Sequence, residues 1–265
     1  NMGKVDNKGY EIDLKWNDKI RDFSYYINAN LSYSKNKIVY QDEVEPNEPY
    51  QWRTGNEVGA RYGYVALGFY NKDDFNEDGS LKEGLPRPLA TVYPGDVKYA
   101  DLNNDGEINE SDLYRYHSPA PKYIMGLSTS LRYKQLTLGM SFRANIDNYV
   151  YNGMGMSTGA FETVSYNKSQ LNNLNTSFLK TGFKTRQYLS DYYVENASFL
   201  KLDNLSLSYN VGKINKWASL TVSAMVQNVF TITGYSGTDP EVPNGMDNSF
   251  YPRPRTYSVS LGLQF

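Results

Sequence analysis

The chain has 265 residues and a formal net charge of -2, so it carries no basic excess of the kind that binds nucleic acid. It contains no cysteine and one histidine, which excludes disulfides, thiolate metal sites and sites built from several histidines. The sequence has no apolar run of roughly eighteen residues, which excludes a transmembrane helix. Tyrosine is unusually common, with 25 residues. Its apolar ring and polar tip suit membrane boundaries and contacts with sugars or peptides.

Apolar and polar residues alternate along several segments, as expected for β-strands with two different faces. In the clearest segment, Ile27 and Leu31 fall on one face while Asn28 and Ser32 fall on the other. A phase slip before residue 205 predicts a β-bulge near Asp203. The eight predicted strands, in chain order, are residues 9–16, 23–34, 58–70, 123–133, 136–146, 205–211, 220–230 and 257–265.

The connections between these strands are uneven in length. Residues 134–135 and 211–220 form short turns, whereas 35–57, 71–122 and 147–198 are long. Short turns at one end and long loops at the other are typical of outer-membrane barrels, as is a strand length near the ~9–11 residues that cross a bilayer. With the terminal aromatic Phe265, this pattern predicts an all-β fold, an antiparallel transmembrane β-barrel. Strands of a soluble barrel or sandwich also alternate apolar and polar residues, but their polar face usually carries many Lys and Glu. Here the polar faces carry mostly Ser, Thr, Asn, Gln and Gly.

Residues 101–112, within the long loop 71–122, have the ligand spacing of an EF-hand calcium loop. Oxygen-bearing side chains stand at positions one, three, five and twelve, with a glycine at six. The predicted Ca²⁺ ligands are Asp101, Asn103, Asp105 and Asp112, with Glu107 contributing its backbone carbonyl. Because an aspartate replaces the usual glutamate at twelve, we expect weak binding in a structural role. The alternative interpretation is an Asx-rich turn without an ion.

No pattern of catalytic residues occurs, so the chain is predicted not to be an enzyme. The single histidine, His117, is interpreted as a loop residue. Arg253 and Arg255 precede the last strand, either in an extended approach segment, which we favour, or as a cationic lining of the barrel interior.

Several motifs together resemble the SusC-like TonB-dependent outer-membrane transporters of the Bacteroidetes type. The likeness spans nearly the whole chain. The motifs are Gly95-Asp96-Val97-Lys98-Tyr99-Ala100-Asp101-Leu102-Asn103-Asn104-Asp105-Gly106, Pro121-Lys122-Tyr123, residues 194–209, Val226-Gln227-Asn228-Val229-Phe230, residues 233–241 and residues 251–265.

This resemblance implies a barrel of about 22 strands, of which the chain would supply about eight at the C-terminal end, without the N-terminal plug. It implies import of oligosaccharides or peptides across the outer membrane of a Gram-negative bacterium. The implied partners are a SusD-like surface lipoprotein and, through the missing N-terminal region, the TonB–ExbB–ExbD complex. Embedding in outer-membrane lipid follows from the same family likeness.

Two other functions remain open from the sequence. One is an independent small outer-membrane barrel for adhesion or structure, and the other is a secreted calcium-dependent glycan-binding β domain. The first residues lack the apolar segment of a signal peptide. We therefore expect either that the mature protein starts here or that the chain is a piece of a longer one.

Overall fold

The computed structural model describes residues 3–116, 118–160, 178–185, 187–248 and 251–265. Seven strands form one antiparallel sheet in which spatial order follows chain order, and six short strands pair in three separate ladders. The strands are β1 (Gly3–Ile20), β2 (Phe23–Gln41), β3 (Tyr62–Gly63), β4 (Ala66–Phe69), β5 (Val97–Tyr99), β6 (Tyr114–Arg115), β7 (Tyr123–Tyr133), β8 (Leu136–Ile146), β9 (Tyr149–Tyr151), β10 (Val194–Asn196), β11 (Phe199–Lys213), β12 (Ser219–Thr233) and β13 (Thr256–Gln264).

The large sheet consists of β1, β2, β7, β8, β11, β12 and β13. Among the described residues, helical structure is confined to short segments. These are the α-helices Gly153–Thr158 and Phe178–Thr181 and the 3-10 turns Pro49–Gln51, Lys72–Asp74, Glu110–Asp112, Asp191–Tyr193 and Pro243–Gly245. Within the described residues, none of the helices has the length and apolar character needed to span a membrane.

Short turns lie at one end of the large sheet and long loops at the other. At the short-turn end, two-residue turns join β1 to β2 and β7 to β8, and residues 214–218 join β11 to β12. At the other end, the long loops 42–122, 147–198 and 234–255 connect the remaining pairs. Both two-residue turns place a non-glycine residue at positive φ, Arg21 at 56° and Lys134 at 52°. This asymmetry confirms the pattern predicted from the sequence.

The register aligns the apolar residues of all seven strands on one face, which we call the apolar face. One row across the sheet runs Trp16, Ile27, Thr129, Met140, Leu205, Val226 and Tyr257. The neighbouring rows are also mainly apolar. Residues such as Leu14, Val259 and Leu261 on this face are 65%, 78% and 71% exposed. The apolar face is therefore not covered by any part of the chain that the structure describes.

The opposite face, which we call the polar face, carries mainly hydroxyl and amide side chains. One of its rows runs Lys15, Asn28, Ser128, Ser141, Asn204, Gln227 and Thr256. Side chains from neighbouring strands bind one another here, with 2.9 Å between the hydroxyls of Ser208 and Ser223. The two faces therefore differ in chemistry as the alternation predicted.

Two aromatic rows lie on the apolar face, each with aromatic residues from three of its seven strands. Near the long loops, Tyr10 stacks on Tyr33 with ring centroids 5.3 Å apart, and Tyr33 contacts Tyr123 at 4.9 Å. Near the short turns, Phe23 lies opposite Tyr133, with Tyr209 two strands further on. The rows are ten residues apart along β2, or about 34 Å of strand at about 3.4 Å per residue. At a tilt of about 40°, this spans about 26 Å, close to the ~25 Å apolar band of membrane barrels.

Six of the eight predicted strands are confirmed as members of the large sheet with only their ends revised. A seventh, residues 205–211, lies mainly in the second half of the longer β11. Residues 123–133 and 136–146 coincide with β7 and β8, whereas β1 and β2 run further than predicted at their long-loop ends. The bulge near Asp203 is confirmed, because the pairing of β11 shifts between Leu202 and Asn204 against both neighbours.

The predicted strand at residues 58–70 is wrong, so seven described strands rather than eight form the large sheet. This segment contains only β3 and β4, which pair with β6 and β5 inside the loops. Three glycines interrupt it. Gly59 and Gly68 have φ of 77° and 117°, and a Cβ on Gly63 would lie 2.7 Å from the carbonyl oxygen of Leu189. The chain therefore bends instead of continuing as one strand, and residues 42–122 form a single connection.

Candidate functional site

The three long loops pack together at one end of the sheet, and we call them the loop assembly (described residues of 42–122, 147–198 and 234–255). Its main core joins the first two loops through Tyr64, Val97, Tyr99, Ile108, Ala160 and Phe183. A second cluster of Val150, Ala197 and Tyr235 joins the second loop to the third. The compact core of this chain therefore lies in its loops and not between the faces of the sheet.

Tyrosines supply much of this loop core, a role that the sequence reading did not foresee. The rings of Tyr64 and Tyr99 lie 5.4 Å apart, and the Tyr99 hydroxyl accepts the backbone N–H of Tyr188 at 2.9 Å. Burial raises the pKa of Tyr64 to about 12, with the charges of Asp112 and Glu110 adding to the effect. These phenols therefore stay neutral, and each contributes a large apolar ring that carries one polar hydroxyl group.

A polar junction ties the third loop to the second. Asn152 donates to the Glu195 carboxylate at 2.8 Å and to the Ser236 hydroxyl at 3.0 Å, while Glu195 accepts the backbone N–H of Ser236 at 2.8 Å. Nearby, the buried Tyr235 hydroxyl donates to Asp247 at 2.7 Å. Because burial and this hydrogen bond both raise the pKa of Tyr235, the phenol keeps its proton.

An ion-pair cluster anchors the third loop to the polar face of the sheet. Arg143 of β8 and Lys201 of β11 both bind Glu241, and the Lys201–Glu241 distance is 2.5 Å. Arg143 also pairs with Asp203 at the bulge, at 2.8 Å. Arg253 binds Glu241 at 2.9 Å and Asp239 at 3.0 Å. The cluster thus contains three cations and three carboxylates, which balances its charge.

Burial makes this cluster energetically sensitive. Lys201 is only 2% exposed, so its ammonium depends on Glu241 and, at 3.7 Å, on Asp239. Burial acts to raise the pKa of Glu241, but hydrogen bonds from Arg143 and Lys201 outweigh it, and the pKa lies below its usual value of 4.5. Glu241 is therefore ionised at neutral pH. Arg253, at the end of the extended segment before β13, has a structural role in this cluster.

The acidic loop folds as a tight turn around its own side chains. Asp101 accepts the backbone N–H of Gly106 at 2.9 Å, and Asp105 accepts that of Glu107 at 2.8 Å. Asn103 donates to Asp105 at 2.8 Å. Gly106 has a φ of 85°, as expected for the sharp bend at position six. The sequence-predicted side chains at positions one, three and five are therefore brought together.

The side chains at the other two predicted positions have contacts elsewhere, although Glu107 was predicted to offer only its backbone carbonyl. Asp112 is fully buried and binds two backbone N–H groups, those of Leu102 at 2.7 Å and Asn109 at 2.8 Å, so it braces the two ends of the loop. The Glu107 side chain forms an exposed ion pair with Arg87 at 3.3 Å.

Within the described residues, no group of three or more His, Cys, Asp or Glu side chains is arranged to hold a metal. In the acidic loop, the carboxylates of Asp101 and Asp105 keep free oxygen lone pairs in addition to those that accept N–H groups. Backbone hydrogen bonds from Glu107 lower the pKa of Asp105 and keep it anionic, which suits a cation. The donor set thus fits Ca²⁺ in chemistry at positions one, three and five, and calcium binding stays a prediction.

The outer surface of the loop assembly exposes aromatic and cationic side chains. Trp52, Tyr62 and Tyr114 are 40%, 44% and 55% exposed. A cleft of about 770 Å³ lies between the first loop and the long-loop ends of β1 and β2, and Arg53 and Arg115 form part of its lining. Arg115 is held by the carbonyl oxygens of Tyr50, Ala60 and Gln51. His117 lies outside the described residues.

The ion-pair cluster was missed from the sequence because its members are far apart in the chain. Arg143 and Glu241 are 98 positions apart. The available signal was an arginine on the polar side of a strand beside the predicted bulge at Asp203. That signal identifies a charge in need of a partner, but it does not identify the partner.

We predict a small calcium-binding heat from the acidic loop, with affinity near the ~10⁻⁴–10⁻³ M of extracellular calcium modules. Isothermal titration of the purified protein with Ca²⁺ measures it, and Asp105→Ala abolishes it. Asp78→Ala, in the separate acidic segment 73–79 of the same long loop, serves as the control and leaves the heat unchanged. Absence of heat from the unaltered protein at millimolar Ca²⁺ rules the site out.

Removing the Glu241 carboxylate should release the third loop. Glu241→Gln leaves Lys201 and Arg143 short of charge, a loss of about 3 kcal/mol for a buried pair. Hydrogen exchange of residues 234–248 should rise strongly, while Arg87→Gln, in an exposed pair, costs under about 1 kcal/mol.

The stabilisation that Glu241 contributes depends on pH with a defined sign. Because the folded pKa of Glu241 is depressed, its stabilisation is complete above pH 4.5 and is lost as the pH falls through the lower folded value.

If hydrogen exchange of residues 234–248 is unchanged in Glu241→Gln, that result contradicts the anchoring role of Glu241.

Comparison with known proteins supports a common ancestry over the whole chain, although no family model matches it. The TonB-dependent receptor SusC of Bacteroides thetaiotaomicron is 30% identical over 289 residues, covering 100% of this chain and 27% of that receptor. The TonB-dependent receptor P3 of Formosa agariphila is 29% identical over 300 residues, covering 100% of this chain and 29% of the relative. The chain thus spans less than a third of the length of these curated relatives.

Among solved structures, the RagAB peptide transporter matches with a TM-score of 0.71 and 20% identity, over 98% of this chain and 29% of that one. The RagAB peptide importer in its open-open state gives the same TM-score over 99% of this chain. At this identity the likeness concerns the fold. Along its whole length, the chain is homologous to SusC-like TonB-dependent receptors, the family that its sequence motifs predicted.

Proposed function

We propose that this chain forms the C-terminal part of the barrel wall of an outer-membrane nutrient importer in a Gram-negative bacterium. The observation that carries this proposal is the apolar face, continuous across seven strands and bounded by two aromatic rows. Such a face, about one bilayer thick between aromatic girdles, is what a barrel presents to lipid. The polar face then lines the water-filled interior through which cargo passes.

The open edges of the sheet favour membership in a larger barrel. In the described structure, β1 and β13 each pair on one side only. An unpaired strand edge inside a bilayer leaves backbone N–H and C=O groups without partners, at a cost of several kcal/mol each. We therefore infer that further strands complete the wall, and the family resemblance implies about 22 in all. The open sheet disfavours an independent small barrel, which would close on itself.

The apolar face also disfavours a secreted, soluble glycan-binding domain. Soluble monomers rarely expose contiguous apolar patches beyond a few hundred Å². Here, seven strands carry mainly apolar residues on one uncovered face. A sandwich would bury that face beneath a second sheet, and no second sheet of comparable size occurs among the described residues.

Cargo and partners are assigned by family likeness together with the character of the loops. We infer that the exposed aromatics of the loop assembly contact an oligosaccharide or peptide cargo and a SusD-like lipoprotein that covers this end. Energy would come from the TonB–ExbB–ExbD complex through a plug region of the full receptor. The named relatives are a SusC receptor and a peptide transporter, and both cargo classes suit a surface of tyrosine, tryptophan and arginine.

A charged residue introduced on the apolar face should lower the free energy of unfolding far more than one introduced on the polar face. Leu127→Arg lies near the middle of the apolar band, where arginine costs about 2–4 kcal/mol in a membrane barrel. Its chain neighbour Ser128→Arg faces the other way and should be nearly neutral. Denaturant unfolding of the receptor in lipid vesicles measures both. Equal costs for the two variants contradict the lipid-facing assignment.

Import is tested by uptake of labelled oligosaccharides and labelled peptides in the native bacterium. Disruption of the gene should remove uptake of one probe class, and the intact gene should restore it. Replacing Trp52, Tyr62 and Tyr114 together by alanine should lower uptake severalfold without lowering the amount of protein in the outer membrane. If uptake of every probe survives gene disruption while adhesion is lost, the adhesion function replaces import.

A further inference from the structure

Three lysines stand on the apolar face just beyond the aromatic row at the long-loop end. Tyr10 pairs with Tyr33 in that row, and two positions further along both strands Lys8 pairs directly with Lys35. One more step on the same face brings Lys37 opposite Asp6. We call Lys8, Lys35 and Lys37 the lysine patch. It continues the outward-facing surface past the tyrosine row.

The lysine patch has no ion-pair partner among the residues that the structure describes. Like charges that lie directly opposite across two strands destabilise a sheet. All three lysines are exposed, and none of them forms an ion pair or side-chain hydrogen bond with any described residue. Asp6 supplies a single negative charge, so the patch retains a net charge of about two. This arrangement becomes favourable when an external anion lies between the ammonium groups.

The height of the patch indicates which anion it meets. Aromatic rows of membrane proteins lie at the boundary between hydrocarbon and headgroups. The Lys8–Lys35 pair lies two residues beyond the tyrosine row, about 7 Å further along the strand at about 3.4 Å per residue. Lysine side chains are long enough to reach several Å in either direction. The patch is therefore at the level of lipid phosphates.

We propose that the lysine patch binds the phosphate groups of an anionic lipid in the leaflet at the long-loop end. This inference rests on the membrane placement proposed above and adds a lipid partner to it. Each ammonium offers three donors to phosphate oxygens, and two such groups on adjacent strands can share one phosphate. The tyrosine row directly below would contact the first part of the acyl chains.

The test uses the receptor purified from its own membrane, at the full length in which it is made, and placed in phosphatidylcholine nanodiscs. The probes are diphosphoryl lipid A and lipid A with both phosphates removed. Native mass spectrometry measures how many lipid A molecules each receptor retains as a function of lipid A content. We expect retention of the phosphorylated form only, weakened about fivefold for each lysine changed in the triple variant Lys8→Gln, Lys35→Gln, Lys37→Gln.

A matched triple variant controls for loss of charge alone. Lys19→Gln, Lys134→Gln, Lys213→Gln removes three lysines at the short-turn end of the same sheet and should leave retention unchanged. Equal retention by the two triple variants, or equal binding of the dephosphorylated lipid, overturns the lysine patch as a phosphate site. Full displacement by inorganic phosphate at equal concentration overturns its selectivity for lipid. Failure of the unaltered receptor to enter nanodiscs instead overturns the membrane placement itself.

Discussion

The pairing of each strand with its neighbours is the constraint on which the rest of this structure depends. Inside a bilayer, backbone N–H and C=O groups find no water, so strands must satisfy one another in a fixed register. A slip of one residue would move every side chain to the wrong face. The observed register keeps Ile27, Leu138 and Val222 on one face, and none of them is buried in a core.

A one-layer sheet has no interior, and the chain places its packed core in the loops instead. There, Tyr64 and Tyr99 bury large apolar rings, and the Tyr99 hydroxyl accepts the backbone N–H of Tyr188. The ion-pair cluster around Glu241 then fastens this core to the polar face, where water and charge are tolerated. The long loops consequently form one continuous surface at this end of the sheet, and this is the surface that we propose contacts cargo and a covering partner.

The sequence predicted what depends on local periodicity and missed what depends on distant contacts. The ends of β7 and β8 were predicted to the residue because a two-residue turn and unbroken alternation leave no freedom. Residues 58–70 failed because their glycines bend the chain into loop ladders, and alternation alone does not reveal bending. The Arg143–Glu241 contact joins residues 98 positions apart, which no pattern encodes. In the acidic loop, the turn geometry followed from Gly106, whereas calcium binding stays a prediction.

The central claim is that the apolar face contacts lipid while the polar face contacts water. Because the chain has no native cysteine, single cysteines can be placed at each position from 124 to 132 and spin-labelled in the receptor in lipid vesicles. Collision rates with oxygen and with a water-soluble nickel chelate then report the surroundings of each label. The account predicts a period of two, with oxygen favoured at 125, 127, 129 and 131 and the nickel chelate at the positions between. The opposite phase, or no alternation, would contradict it.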